Sequence, residues 1–374
     1  MRETAFAKAS VPARAHGLPG RCFADGAIFA QERERVFASE WVCVGREEHV
    51  EQPGDFFLAD VAGESLIVVR GNDQQVRAFF NVCRHRGTRL CSDERGTLTG
   101  SIQCPYHAWT YALDGRLSAA RNMADVAGFD QTEYPLHQAA LAAWNGFLFL
   151  NLAQKEEPFS QAFAPVAQRF ARWHIGELRA ARRIEYEVAA NWKLVFQNYS
   201  ECYHCPLIHP ALEKLTPSDS GRNDLMEGAF LGGYMTFRRP GGTLTTSGAT
   251  ARRAVGEVGG DDLNRVYFYA IFPSLLLSLH PDYVMAHIVR PVNVAQTTIA
   301  CEWLFDPSEI RRADFDPSDA VEFWDLTNRQ DWRVCELSQL GVSSRAYVPG
   351  PYANQEGLLH AFDRHYLSRM QAPD

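Results

Sequence analysis

The sequence has no apolar run approaching the roughly 20 residues that a membrane-crossing helix needs, and its opening, MRETAFAKASVPARAHG, has no apolar segment of the secretory kind. A cytoplasmic protein with no membrane partner is the expectation. There is no lysine- or arginine-rich tract to neutralise a phosphate backbone, and 37 basic residues against 45 acidic ones leave a net charge of −8. That balance argues against nucleic acid as a partner. Cysteine is sparse, nine in 374 residues, an odd number that does not suit the disulfide framework of a small secreted scaffold. Free thiols are expected, and any that cluster read as metal ligands. Internal repeats and low-complexity linkers are missing too, so domain boundaries have to come from changes of pattern. No G-x-G-x-x-G follows a strand-like run, so the sequence carries no dinucleotide-binding fingerprint.

What is present is ample apolar material, 46% of the residues, in a chain long enough for two domains. Within 25–41, Ile28, Phe29, Val36, Phe37 and Trp41 fall at helical spacing behind a capping Asp25, which predicts an amphipathic helix in an N-terminal arm, 1–45. From Gly54 the text changes to short apolar runs separated by turn residues (FFLADV, SLIVVR, GNDQ, VRAFFNV, WTYAL). These predict a small antiparallel β domain over 46–155. Over 156–374, strand-like RRIEYEVA, helix-like NWKLVFQNYSECYH, further strands at 229–238, 265–272, 282–290 and 301–305, and a helical DAVEFWDLTNRQDWRVCELSQLG follow. The fold class is α+β, the second domain being one sheet gripped by helices.

Chemistry concentrates in two places. The first is Cys83-x-His85, then eighteen residues, then Cys104-x-x-His107. Each half closes a strand-like run and offers one thiolate and one imidazole. Zinc accepts two of each, but zinc sites usually pair Cys with Cys and His with His. The alternation suits two sulfide-bridged irons, one taking both thiolates and the other both imidazoles, and it looks like a Rieske [2Fe–2S] cluster. Four unrelated buried residues would be the uneventful reading. In the respiratory Rieske proteins that this segment resembles, each loop carries an extra cysteine, and the two form a disulfide; here those places hold Thr88 and Tyr106. Fewer donors and no disulfide point to the lower part of the Rieske range, roughly −150 to +300 mV. Cys91 reads as a buried thiol.

The second is NWKLVFQNYSECYHCPLIHP, 191–210. His204 and His209 are five apart, an awkward spacing on one helix, and Pro206 is expected to break the helix just after His204 so that His209 returns from a loop. Cys202 and Cys205 are alternative zinc partners for these histidines, and a pair of core histidines is the uneventful alternative.

With both motifs in place, the chain resembles the catalytic α subunits of Rieske non-haem iron oxygenases over nearly its whole length. The resemblance implies a helix-grip catalytic domain in which His204, His209 and a later aspartate hold a mononuclear Fe(II). NRQDWRVCELSQ points to Asp331, which also sits on a partly apolar stripe seven after Trp324 and four before Cys335; Asp325 is its rival. It implies that Glu201 bridges ligand histidines of the two metal sites across a subunit boundary, that Asn198 belongs to the catalytic set, and that Gln197 stands where many relatives carry an acid. Glutamate rather than aspartate at 201 resembles the branch that oxidises quaternary ammonium compounds, as does FPSLLLSLHPDYVMAHIVRP (272–291). Further implications are O2 as co-substrate, NAD(P)H electrons from a separate flavin/iron–sulfur reductase with or without a ferredoxin, and a head-to-tail homotrimer. The favoured reaction is hydroxylation or N-demethylation of a betaine-like compound, for which Phe196, Tyr199, Tyr203, Phe230, Tyr234, Phe237, Tyr267 and Tyr269 are cage candidates. Hydroxylation or O-demethylation of an aromatic acid is the alternative, and Arg238, Arg239 and Arg290 suit a carboxylate in either case. A non-catalytic Rieske electron carrier with an appended binding domain is the reading from a different class.

Overall fold

The structure is a computed structural model that describes residues 7–371; the first six residues of the arm, MRETAF, lie outside the described residues. The chain forms two compact units, Phe37–Phe159 and, separately, Met1–Val36 with Ser160–Asp374. Among the described residues, no helix is long and apolar enough to cross a membrane.

The first unit holds ten strands: β1 (Val42–Arg46), β2 (Asp55–Val61), β3 (Glu64–Arg70), β4 (Val76–Phe80), β5 (Arg95–Thr97), β6 (Ser101–Gln103), β7 (Thr110–Ala112), β8 (Leu117–Ala119), β9 (Gln138–Trp144) and β10 (Phe147–Asn151). A seven-stranded sheet runs β1-β10-β9-β4-β3-β2-β5 and a three-stranded one β6-β7-β8. Turn chemistry fixes the hairpins. Ala62–Gly63 and Asn145–Gly146 all have positive φ, the two-residue geometry that matches the twist of paired strands. Leu66, Ile67, Val68 and Val69 of β3 are fully buried, as expected of an apolar run with three β-branched residues in the middle of a sheet. Gly115 is one glycine the core requires: its φ is +90°, and a Cβ there would lie 2.5 Å from the Phe79 ring.

The second unit is built on β11 (Arg179–Val188), β12 (Arg222–Glu227), β13 (Phe230–Thr236), β14 (Arg265–Ile271), β15 (Leu275–Leu279), β16 (Val284–Asn293) and β17 (Gln296–Phe305), in the order β11-β17-β16-β15-β14-β13-β12, every neighbouring pair antiparallel. The long helix Ser318–Val342 buries Phe323, Trp324, Thr327, Asn328, Trp332, Cys335 and Gln339, a three-and-four spacing that lays one stripe against the core. Asn191 caps the helix Trp192–Tyr199 by accepting from the Lys193 N–H.

The amphipathic segment at 25–41 is not one helix. Asp25 does cap Gly26–Glu32, but a π-helical turn follows at Arg33–Phe37, and Trp41 belongs to the strand-rich unit, where its indole N–H donates to the Glu157 carbonyl and its ring meets Phe159 edge-on. Periodicity marks the apolar positions without telling which core each one serves.

Candidate metal centres and the catalytic cavity

Cys83 and Cys104 open two loops of the same construction. In each, the cysteine N–H donates to the carbonyl five residues on (Thr88, Trp109), and its own carbonyl accepts from the residue four on (Gly87, Ala108). Those fourth residues both have positive φ, 73° and 57°. The loops hold both thiols in the buried core of the unit, while His85 is exposed and His107 half-buried. The imidazole centroids are 4.7 Å apart and His85 stacks on Trp109 at 4.8 Å. His107 Nδ1 is buried with no hydrogen-bond partner, the mark of a nitrogen built to face something other than protein. Two inward thiols and two outward imidazoles fit a [2Fe–2S] cluster.

One donor to the sulfurs escaped the sequence reading. The Tyr111 hydroxyl stands 3.3 Å from Cys83 Sγ while accepting from the Arg84 N–H at 3.0 Å. A hydrogen bond to a thiolate stabilises the more negative, reduced cluster. Tyr111→Phe is therefore expected to lower the reduction potential; about 1 kcal/mol for the lost bond corresponds to roughly 40 mV for one electron. Voltammetry reads it, and an unchanged potential would mean the hydroxyl does not bond the sulfur. Cys91 is buried, and burial pushes its thiol up to about 11.

In the second unit His204, His209 and Asp331 come together, with one potential ligand atom from each within 4.8 Å of the others. Asp331 Oδ1 lies 2.8 Å from His209 Nε2 and 3.3 Å from His204 Nε2. The other ring nitrogens are occupied: His204 Nδ1 faces Glu201 Oε1 at 2.5 Å, and His209 Nδ1 faces Gln330 Oε1 at 2.8 Å. With each Nδ1 donating outward, both Nε2 atoms turn their lone pairs to the same point, the arrangement that metal-ligating histidines adopt. Burial disfavours charge on His204, yet hydrogen bonds to Asp331 and Glu201 outweigh it and lift its pKa to about 10. For Asp331, burial pushes up, but the two histidines hold it below the usual carboxylate range. A positive charge is thus favoured at this point, and two imidazoles with one carboxylate are the donor set of non-haem Fe(II) oxygenases.

The local route to this trio differs from the expected one. The helix ends at Tyr199, before His204, and Pro206 opens the next short helix, Cys205–Ile208, instead of ending the previous one; proline is well tolerated in a first helical turn. Glu201 lies in the intervening turn, where its carboxylate also accepts from the Tyr203 and His204 backbone N–H groups. Asp325 is elsewhere, accepting from the Tyr186 hydroxyl at 2.7 Å and from Arg329 at 2.9 Å. Gln197 donates to Asp363 at 2.8 Å. Cys202 and Cys205, expected as thiols, are joined as a disulfide.

The trio opens on a cavity of 160 Å³ also lined by Tyr199, Phe268 and Trp324, with Asn198 and Glu201 in its wall. Phe268 stands edge-on to both other aromatics, at 6.0 Å from Tyr199 and 6.1 Å from Trp324. Of the cage candidates, Tyr199 and Tyr234 line the cavity, Tyr203 is exposed, and Phe196, Phe230, Phe237, Tyr267 and Tyr269 are core. Phe268 was missed between two tyrosines because successive strand residues face opposite ways. Arg238, Arg239 and Arg290 do not line this cavity; Lys8 does.

Comparison with known proteins agrees with this geometry. Residues 40–130 match the Rieske [2Fe-2S] domain and residues 175–372 the ring hydroxylating alpha subunit (catalytic domain). The chain is 32% identical to the carnitine monooxygenase oxygenase subunit of Escherichia coli (strain K12), over 90% of this chain and 87% of that one. It is 30% identical to the glycine betaine monooxygenase oxygenase subunit of Chromohalobacter salexigens, over 90% and 82%. Among solved structures, the quaternary ammonium Rieske monooxygenase CntA in complex with L-carnitine superposes with TM-score 0.78 at 26% identity over 96% of both chains. A further structure of such a monooxygenase, TM-score 0.81 at 26% identity over 96% of both, is described with insights into inter-subunit electron transfer. The chain belongs to the ring-hydroxylating alpha-subunit family and is the oxygenase subunit of a Rieske non-haem iron oxygenase, with a [2Fe–2S] cluster and a mononuclear iron as its cofactors.

Proposed function

We propose that this oxygenase hydroxylates or N-demethylates a small quaternary ammonium compound of the betaine type. The observation that carries the reading is the aromatic wall Tyr199–Phe268–Trp324 in the same 160 Å³ cavity as His204, His209 and Asp331. Aromatic faces hold a trimethylammonium group without offering it a hydrogen bond, and the attraction grows as water is excluded. Arg238, Arg239 and Arg290, suited to a carboxylate in either reading, lie outside this wall, and Lys8 lines it.

The division of labour follows. His204, His209 and Asp331 would hold the iron, which when bound supplies dioxygen binding and reduction, the electrons coming from the cluster and ultimately from NAD(P)H through a separate reductase. Glu201 and Gln330 fix the two imidazoles through their Nδ1 protons. The aromatic wall sets an N-methyl carbon toward the trio and keeps water out. A hydroxyl placed on that carbon leaves as formaldehyde, its O–H proton going to solvent and the C–N electron pair returning to nitrogen. An oxygen-uptake screen with a surrogate reductase is expected to show NADH-dependent uptake and formaldehyde release with a trimethylammonium substrate, and none with its uncharged tert-butyl analogue. Phe268→Leu is expected to raise KM about tenfold, the worth of a desolvated cation–π contact. Turnover of aromatic acids, with the ammonium compounds inert, would overturn the reading.

We also infer a head-to-tail ring of subunits, a heterologous contact that commonly closes with threefold symmetry. Its basis is Glu201, half-buried beside the exposed Tyr203 and Leu207, with Oε1 facing His204 Nδ1 and Oε2 accepting from the Tyr203 and His204 backbone N–H groups. In the ring, Glu201 of one subunit bridges toward His107 of its neighbour. Glu201→Gln keeps the volume and removes the charge that orients both histidines. The expected result is a folded trimer by light scattering, with both metals bound and single-turnover cluster oxidation slowed at least about tenfold. Oxidation at the normal rate, or a monomeric wild type, would defeat the bridge.

A further inference from the structure

Two of the nine cysteines stand in the wall of the catalytic cavity. Cys202 and Cys205 are joined as a disulfide with Cα atoms 4.9 Å apart, so that the bond spans Tyr203 and His204. Cys205 is buried, Cys202 half-buried. Cys205 Sγ lies 3.9 Å from His204 Nε2. That is the nitrogen facing Asp331 at 3.3 Å, since Nδ1 is held by Glu201. The sulfur therefore sits on the metal side of the imidazole.

The separation is the telling quantity. A tetrahedral zinc with a thiolate at about 2.3 Å and an imidazole at about 2.0–2.1 Å holds its sulfur and nitrogen roughly 3.6 Å apart. The observed distance is within a few tenths of an ångström of that of two ligands on one ion. Tied to Cys202, the sulfur has no thiolate to offer. Resting on the reading of His204, His209 and Asp331 as a metal site, we infer that Cys205 is a fourth ligand to that site, masked by its bond to Cys202. With the disulfide closed, the site presents two imidazoles and a carboxylate, a set that selects Fe(II) and leaves positions open. With the disulfide open, the Cys205 thiolate joins them and the site takes Zn(II), filling the position the reaction needs.

Both redox steps balance. Opening uses two molecules of a small thiol: their sulfurs join as an external disulfide, and the two protons and two electrons they give up leave Cys202 and Cys205 as thiols. Closing uses a hydroperoxide, whose O–O bond breaks to give an alcohol and water while the two thiols lose their protons and join. Zinc capture then releases the Cys205 proton to solvent.

The test uses the full chain with its cluster intact and oxidised throughout. The mononuclear site is emptied by a chelator and refilled anaerobically with Co(II), whose thiolate charge-transfer band reports sulfur ligation in difference spectra. Wild type treated with a phosphine reductant, then freed of it, is expected to show the band, and untreated wild type to lack it. Cys202→Ser should show it without reductant and Cys205→Ser in neither state. Zn(II) should displace Co(II) at roughly tenfold lower concentration in the band-bearing forms. Reduced wild type and Cys202→Ser that bind Co(II) with no band, and with the zinc preference of Cys205→Ser, would overturn the inference while leaving the three-ligand site standing. Failure of every form to bind Co(II) would overturn both.

Discussion

Asp331→Asn is expected to abolish turnover while leaving the Rieske absorption untouched. Asparagine has nearly the same shape, so the helix stripe that carries it should pack as before. What is lost is the one negative charge of the trio, whose Oδ1 lies 2.8 Å from His209 Nε2 and 3.3 Å from His204 Nε2. A neutral amide neither favours the cation nor holds the two Nε2 atoms toward a shared point. Because changes in groups that merely orient ligands cost 10–100-fold, replacing a ligand should cost roughly a thousandfold or more. Iron should fall from about three atoms per chain to about two, the cluster keeping its pair. Cys83, His85, Cys104 and His107 belong to the other compact unit, which is why the colour should persist. Full activity in Asp331→Asn would remove this residue from the metal site, and a wild type with only two irons would favour the electron-carrier reading.

How much of this was legible in the sequence depended on the range of the interactions. The Cys-x-His and Cys-x-x-His halves are local loops closed by their own backbone hydrogen bonds, so their spacing carries the geometry directly. His209 and Asp331 are 122 residues apart; the resemblance of NRQDWRVCELSQ to the family named the carboxylate, and the helical stripe Trp324–Asp331–Cys335 supported one that faces inward. The cavity wall was read poorly for a physical reason: in β14 the tyrosines at 267 and 269 share one side of the sheet and Phe268 takes the other, and composition does not say which side holds the cavity. Pro206 misled because proline ends one helix or begins the next with equal economy, and the backbone hydrogen bonds around His204 decide between the two. The disulfide joins cysteines three residues apart in one turn, and spacing alone does not distinguish it from two thiols. In the arm only the capped start, Gly26–Glu32, was legible as a helix, and its purpose was not.

That purpose sets the other large effect. Glu32, at the end of the capped arm helix, is fully buried and accepts from Lys193 Nζ at 2.5 Å, Trp192 Nε1 at 2.9 Å and the Tyr366 hydroxyl at 2.7 Å. Trp192 and Lys193 of the NWK motif are thus structural: they tie the arm and the last helix to the start of the helix that brings Asn198 and Tyr199 to the cavity. Both side chains of the ion pair have no solvent exposure, and the ammonium sits over the rings of Trp192 at 5.1 Å and Tyr366 at 5.0 Å. Burial pulls the Lys193 pKa down, and Glu32 opposes that pull. Glu32→Gln leaves the ammonium buried without its counter-charge, so a loss of about 3–5 kcal/mol in unfolding free energy is expected. The sign of its pH dependence follows. A lysine whose folded pKa lies below its unfolded value of about 10.4 binds fewer protons folded than unfolded, so stability rises with pH between those two values. Removing Glu32 lowers the folded value further and widens that window, so the deficit of Glu32→Gln should shrink as the buffer is made alkaline. Urea denaturation at several pH values measures both effects. The double variant Glu32→Gln with Lys193→Met, which removes both charges and keeps an oxygen acceptor at position 32, should recover most of the loss. If Glu32→Gln unfolds at the wild-type midpoint, or the double variant is as unstable as the single, the pair does not hold the arm in place.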